Sequence, residues 1–186
     1  MTEQTITITP LSGAMGAEIT GVDLAGALSN QTRETIHRAF LDHQMIYFRD
    51  QELSPERQVE IAGIFGKPAV YPFLAGVEGV PEAHELIKNP EDPVNFGGIW
   101  HSDTTYKEKP DMGTALYACE VPPVGGDTQF TNTYLAFEAL SEGMKALLGG
   151  FTAVNHSERL NSQNEGMASS SPPRGRLLAM AGRRVR

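Results

Sequence analysis

The sequence predicts a mainly β fold with flanking helices, and three observations carry that expectation. Thr5-Ile6-Thr7-Ile8-Thr9 alternates polar and apolar residues with the period of a half-buried strand. Met45-Ile46-Tyr47-Phe48 and Thr114-Ala115-Leu116-Tyr117-Ala118-Cys119 are short runs rich in strand-forming residues. Between and after them stand Ser29, Ser54, Asn132 and Ser141, each placed just before a stretch of helical character.

In chain order, Gly13, Gly16 and Gly21 mark a turn-rich passage after the first strand. Ser29 caps a helix that sets Ile36 and Phe40 on one face, with His37 and His43 in or just after it. These two histidines read as surface or cap residues, because nothing acidic stands at ligand spacing from them. The buried strand at 45–48 follows and ends at Arg49-Asp50-Gln51. Ser54-Pro55-Glu56 starts the next helix, with a cap, a proline in the first turn and an acid at the positive dipole end. Val59, Ala62 and Phe65 are its expected inner stripe and Gly66 its stop. From Lys67 to Phe96 the five prolines and two glycines predict loops around a short strand at Glu85-Leu86-Ile87. A loop region of that length carries function or mobility. Beyond the 114–119 strand, Gly125-Gly126-Asp127 is a turn, and Thr128-Gln129-Phe130-Thr131 begins another strand. Two helices follow, one with Tyr134, Leu135, Phe137 and Leu140, the other with Met144, Leu147 and Leu148 as its apolar face. Phe151-Thr152-Ala153-Val154 reads as a strand again.

A chain of 186 residues can bury one sizeable core. Its N-terminus lacks a basic region followed by an apolar run, and no apolar run has spanning length, so a soluble, cytoplasmic protein without a membrane role is expected. The single cysteine, Cys119, excludes an internal disulfide framework and reads as a small buried hydrophobe. The net charge of −8 is uneven: residues 1–160 carry −12 and residues 161–186 carry +4. An acidic body excludes a nucleic-acid partner for that part.

The chemistry concentrates in Gly97-Gly98-Ile99-Trp100-His101-Ser102-Asp103. In an extended segment His101 and Asp103 point to one face, while Trp100 and Ser102 point to the other, where Trp100 can pack. An imidazole nitrogen and a carboxylate oxygen on one face are two of the three donors of the facial triad that holds non-haem Fe(II). Spacing alone favours a hydrogen-bonded pair at a strand end over a metal site, and His156-Ser157-Glu158 repeats the pattern with a glutamate. Gly125-Gly126 lacks the Lys-Ser/Thr and helix start of a phosphate cradle. No His-Glu-x-x-His or zinc-ligand cluster supports the alternative of a metal-dependent hydrolase.

Several segments in one order resemble the taurine dioxygenase (TauD/TfdA) family of Fe(II)- and 2-oxoglutarate-dependent dioxygenases. They are Thr5–Leu11, Gly16–Leu24, His43–Gln51, Phe65-Gly66, Trp100-His101-Ser102-Asp103 and Pro122–Thr128, and the likeness ends near Ser157. The resemblance implies a double-stranded β-helix, a cupin-like jelly-roll, here truncated. It implies Fe(II) on His101, Asp103 and a later histidine, with 2-oxoglutarate as cosubstrate tethered by Thr128 and an arginine. It also implies oxygen-dependent hydroxylation of a small organic, anionic substrate with release of succinate and carbon dioxide, and homo-oligomers among full-length members. Tyr71, in Val70-Tyr71-Pro72, matches a substrate-facing tyrosine, and Asn95 lies near the substrate-contacting asparagine; a turn role for Asn95 is an equal reading. The substrate histidine expected before Tyr71 has no counterpart in Lys67-Pro68-Ala69, which points away from taurine itself.

Past residue 160 the character changes. Residues 161–186 hold five Arg, four Ser, three Gly and no aromatic residue, with no convincing period beyond the short Leu177-Leu178-Ala179-Met180, and the stretch is expected to stay disordered. The expected organisation is a partial dioxygenase domain over 1–160 and an aberrant basic tail over 161–186. His156 stands too early to be the distal metal ligand. A truncated or frame-shifted product, catalytically inactive, is the competing expectation.

Overall fold

The computed structural model describes residues 5–72, 74–89, 91 and 98–156, and the backbone of 177–182. Strand β1 (Thr7–Pro10) turns into β2 (Ala17–Thr20), helix α1 (Asn30–His43) leads to β3 (Met45–Arg49), and α2 (Pro55–Ala62) follows. After a long irregular passage come β4 (Gly113–Ala118), α3 (Thr133–Glu138), α4 (Glu142–Gly149) and β5 (Leu177–Gly182). The five strands form one mixed sheet in the order β1-β2-β3-β5-β4. β1 and β2 are antiparallel, β2 and β3 parallel, and β5 runs antiparallel to both of its neighbours.

The core lies between one face of β1–β3 and the two N-terminal helices. Ala17 and Ile19 of β2, Ile46 and Phe48 of β3, Ile36, Ala39 and Phe40 of α1, and Ile61 of α2 join Leu24 in one buried cluster. Period-2 side-chain alternation places the first four on one face, and the 3.6-residue period places the α1 residues opposite them. All four helices start where the sequence places a cap. The side chains of Ser29, Ser54, Asn132 and Ser141 each accept a bond from a backbone N–H of the first turn. The fully buried residue of α2 is Ile61, outside the expected stripe; of that stripe Phe65 packs partly buried against the core from beyond the helix, which ends at Gly63, before Gly66. Gly21 is required by space: a Cβ there would stand 2.2 Å from the Thr5 carbonyl oxygen, and its φ is +78°.

Gln51 joins the two halves. Buried at the end of β3, it accepts the Leu24 N–H at 2.8 Å and donates to the Arg49 and Val22 carbonyls. Its own carbonyl accepts the Tyr117 hydroxyl of β4 at 3.1 Å, and Gln58 of α2 donates to the Ala115 carbonyl at 3.2 Å. β4 is thereby fixed to the N-terminal core.

Several expectations need correction. Leu177–Gly182 is not disordered: it pairs on both sides, with β3 from Met45↔Ala181 to Arg49↔Leu177 and with β4 from Gly113↔Gly182 to Ala118↔Leu177. The edges of β3 and β4 present rows of N–H and C=O groups, and a short chain of small and apolar residues satisfies both at once. The rest of the 161–186 expectation lies outside the described residues. Thr128–Thr131 and Phe151–Val154 are not strands, and Glu85–Ile87 is not one either. Among the described residues no strand lies beside them, so they lack ladder partners. α3 and α4 bury none of their residues, and Leu135, Phe137, Met144, Leu147, Leu148, Phe151 and Val154 are exposed. Cys119 is exposed rather than buried, since it follows the last residue of β4. No helix of the described residues is long and apolar enough to cross a membrane.

Candidate metal centre

His101 and Asp103 sit in irregular backbone before β4, not in a strand. The expected reason for their convergence is therefore wrong, and so is the packing expected of Trp100, which is 66% exposed. The convergence itself is real: Nε2 of His101 lies 3.1 Å from Oδ1 of Asp103. A turn brings them together. Thr104 has φ +52°, a left-handed conformation costly for a β-branched residue, and the chain folds back on it. The Lys107 N–H reaches the Thr104 carbonyl at 3.0 Å, and the Asp111 N–H reaches Oγ1 of Thr104 at 3.0 Å. Lys107 then pairs with the Asp111 carboxylate at 2.7 Å and closes the turn.

The remaining atoms of the pair are held from outside it. Nδ1 of His101 is 2.7 Å from the Ile99 carbonyl. A carbonyl only accepts, so Nδ1 carries a proton, and in the neutral ring Nε2 holds the lone pair. Oδ2 of Asp103 accepts the Thr114 hydroxyl of β4 at 2.8 Å, which leaves Oδ1 facing Nε2. Thr114 was missed by sequence reasoning; a threonine one residue into a strand that follows a candidate ligand is the signal that pointed to it. Two lone-pair donors face each other at a distance that requires a shared proton or a cation between them. A cation about 2.1 Å from each at a right angle sets them about 3.0 Å apart, so the pair fits adjacent positions of an octahedral site. Among the described residues no third His, Cys, Asp or Glu completes a cluster with them.

Tyr71 is half-buried in the loop after α2. Its phenol pKa is raised, first by burial and then by the charges of Tyr106 and Asp103, so it faces the same region. The Tyr71 N–H reaches Nε2 of His84 at 3.3 Å, and their rings meet edge to face with centroids 6.0 Å apart. Thr128 is exposed in irregular backbone two residues after Gly126, not at the strand start expected for it. Asn95 lies outside the described residues. His37 packs beside Phe65 at 6.0 Å between ring centroids, His43 lies in the last turn of α1, and His156 is exposed.

A family model described as "Taurine catabolism dioxygenase TauD, TfdA family" matches residues 7–178, a span that reaches into β5. The chain belongs to that family. It is similar to an alkylsulfatase of Acinetobacter baylyi, with 32% identity over 156 residues that cover 83% of this chain and 48% of the relative. It is also similar to an alpha-ketoglutarate-dependent sulfate ester dioxygenase of Pseudomonas putida, 33% identical over 150 residues covering 80% of this chain and 49% of that one. Among solved structures, a taurine dioxygenase from Burkholderia xenovorans superposes with a TM-score of 0.68 at 35% identity, over 78% of this chain and 51% of that chain. The mixed sheet with outer helices is thus shared with enzymes of this family. The chain spans about half the length of the curated relatives it matches.

Proposed function

We propose that this chain carries the first two metal ligands of an Fe(II)- and 2-oxoglutarate-dependent dioxygenase that hydroxylates a small anionic organic substrate within a jelly-roll fold. The single observation that supports this most is the pair of facing donors, His101 Nε2 and Asp103 Oδ1, 3.1 Å apart, with the other atom of each ligand already engaged. Family membership and relatives named for sulfate esters and 2-oxoglutarate support the substrate class.

The residues divide the work. The Ile99 carbonyl holds the imidazole in the tautomer that offers Nε2. Thr114 ties down Oδ2, so Asp103 offers one oxygen rather than two. When bound, the iron supplies the redox chemistry that couples oxidative decarboxylation of 2-oxoglutarate to substrate hydroxylation. Thr128 would donate to the far carboxylate of the cosubstrate, a role taken from the family. Tyr71 would donate a hydrogen bond from its phenol to the anionic group of the substrate; a phenol is protonated at neutral pH, and burial raises its pKa further. Asn95 is proposed to contact the substrate as well. Two donors hold iron weakly, so full turnover needs a third ligand beyond this pair.

The test is succinate formation from 2-oxoglutarate, measured with Fe(II), oxygen and a panel of alkyl sulfates, sulfonates and aryloxy acids. Substrate-stimulated succinate that disappears in Asp103→Asn supports the reading. A chain that takes up no divalent metal in the parent form refutes it.

A further inference from the structure

We infer that His84 is a positioning residue: its two ring nitrogens tie Tyr71 to Ala75 and so set where the Tyr71 phenol stands. The inference deepens the proposed function and rests on its reading of Tyr71 as substrate-facing.

The geometry is specific about each nitrogen. Nδ1 of His84 is 3.2 Å from the Ala75 carbonyl, so that nitrogen donates. Nε2 is then the acceptor, and it takes the Tyr71 N–H at 3.3 Å. One neutral imidazole closes a loop across thirteen residues and satisfies a backbone donor and a backbone acceptor together. The ring also stands edge-on to Tyr71, with an interplanar angle of 71°.

The far end of the loop is rigid enough to make this contact count. Val77 and Val80 form a bridge, the Val77 N–H reaches the Ala83 carbonyl at 2.8 Å, and the Ala83 N–H reaches the Val80 carbonyl at 3.0 Å. Val80 and Ala83 are buried. At Gly76 a Cβ would stand 2.5 Å from Cα of Pro81, so the two limbs of the turn touch through backbone. His84 follows this compact turn directly and projects back across it. Tyr71 stands in irregular backbone next to Pro72. His84 gives it a backbone bond and a ring contact from a fixed turn, and removing both shifts where the phenol stands.

The experiment follows the Tyr71 phenol by carbon-13 NMR in ring-labelled protein, assigned with Tyr71→Phe. His84→Phe keeps an aromatic ring and removes both hydrogen bonds; His84→Gln restores an acceptor. We expect Tyr71 to titrate above ordinary tyrosine in the parent and in His84→Gln, and lower than in the parent in His84→Phe and His84→Ala, as the phenol moves relative to the burial and the charges that raise it. A folded His84→Phe or His84→Ala that keeps the parent's raised titration overturns the inference. Should both variants fail to fold, hydrogen exchange in the parent decides: slow exchange at the Tyr71 amide supports the bond, and exchange as fast as in an unstructured peptide overturns it. Mn(II) uptake by the parent is measured separately. Its absence would remove the metal reading while the Tyr71 titration still decides the role of His84.

Discussion

Replacing Thr114 by valine tests the support of the metal pair with little change of shape. Valine has nearly the same volume and suits strand β4, so only the 2.8 Å bond to Asp103 Oδ2 is lost. Removing an outer partner of a metal ligand typically costs 10- to 100-fold in metal affinity, and the low end applies here, about tenfold or 1.4 kcal/mol. The reason is solvent: His101 and Asp103 have side chains 48% and 55% exposed, so water replaces part of what the hydroxyl provides. Freed of Thr114, the carboxylate can also rotate and offer the wrong oxygen. The assay is the loss of the free Mn(II) electron paramagnetic resonance signal on titration into parent and variant. Urea denaturation run beside it is expected to shift by less than about 0.5 kcal/mol, as for a surface substitution. Equal Mn(II) affinity in Thr114→Val and parent would refute the idea that β4 orients the carboxylate.

Gln51→Leu leaves the Leu24 N–H and two carbonyls without their side-chain partner in a buried setting, and is expected to cost about 2–4 kcal/mol in urea denaturation. Phe48→Ala, at a fully buried site of β3, is expected to cost about 3–5 kcal/mol by the same measurement. Ser54→Ala removes the α2 cap and is expected to cost about 1 kcal/mol, read as a lower thermal midpoint. The Glu60 carboxyl is held below its ordinary value of 4.5, first by Arg57 and then by Arg33. Its contribution is present above the unfolded value and is lost as pH falls through the lower folded one, so Glu60→Gln is expected to lower stability slightly at neutral pH, with the parent and variant profiles converging as pH falls below about 4.5.

Local signals read from the sequence carry through where the physics is local. A capping hydroxyl or amide acts on the next three residues, and Ser29, Ser54, Asn132 and Ser141 all cap helices. The runs at 45–48 and 114–119 become β3 and β4 within one residue at each end. What depends on distant partners was not legible. Leu177–Gly182 became a central strand because β3 and β4 each offer it an edge, a fact absent from its own composition. Thr128–Thr131 and Phe151–Val154 have strand-like residues and, among the described residues, no strand beside them. At the site, the His-x-Asp spacing singled out two side chains that do lie together, though not on one face of a strand. The pair meets through the left-handed turn at Thr104 and the Thr114 bond, and neither leaves a trace in a two-residue spacing.

Pulsed electron paramagnetic resonance of the Mn(II)-loaded chain tests the metal centre most directly, because it detects nitrogen bonded to the ion. One imidazole coupling is expected in the parent, lost in His101→Gln, with metal uptake abolished in the His101→Gln, Asp103→Asn double variant. A coupling that persists in His101→Gln, supplied by His37, His43, His84 or His156, would contradict the assignment of the metal to His101 and Asp103.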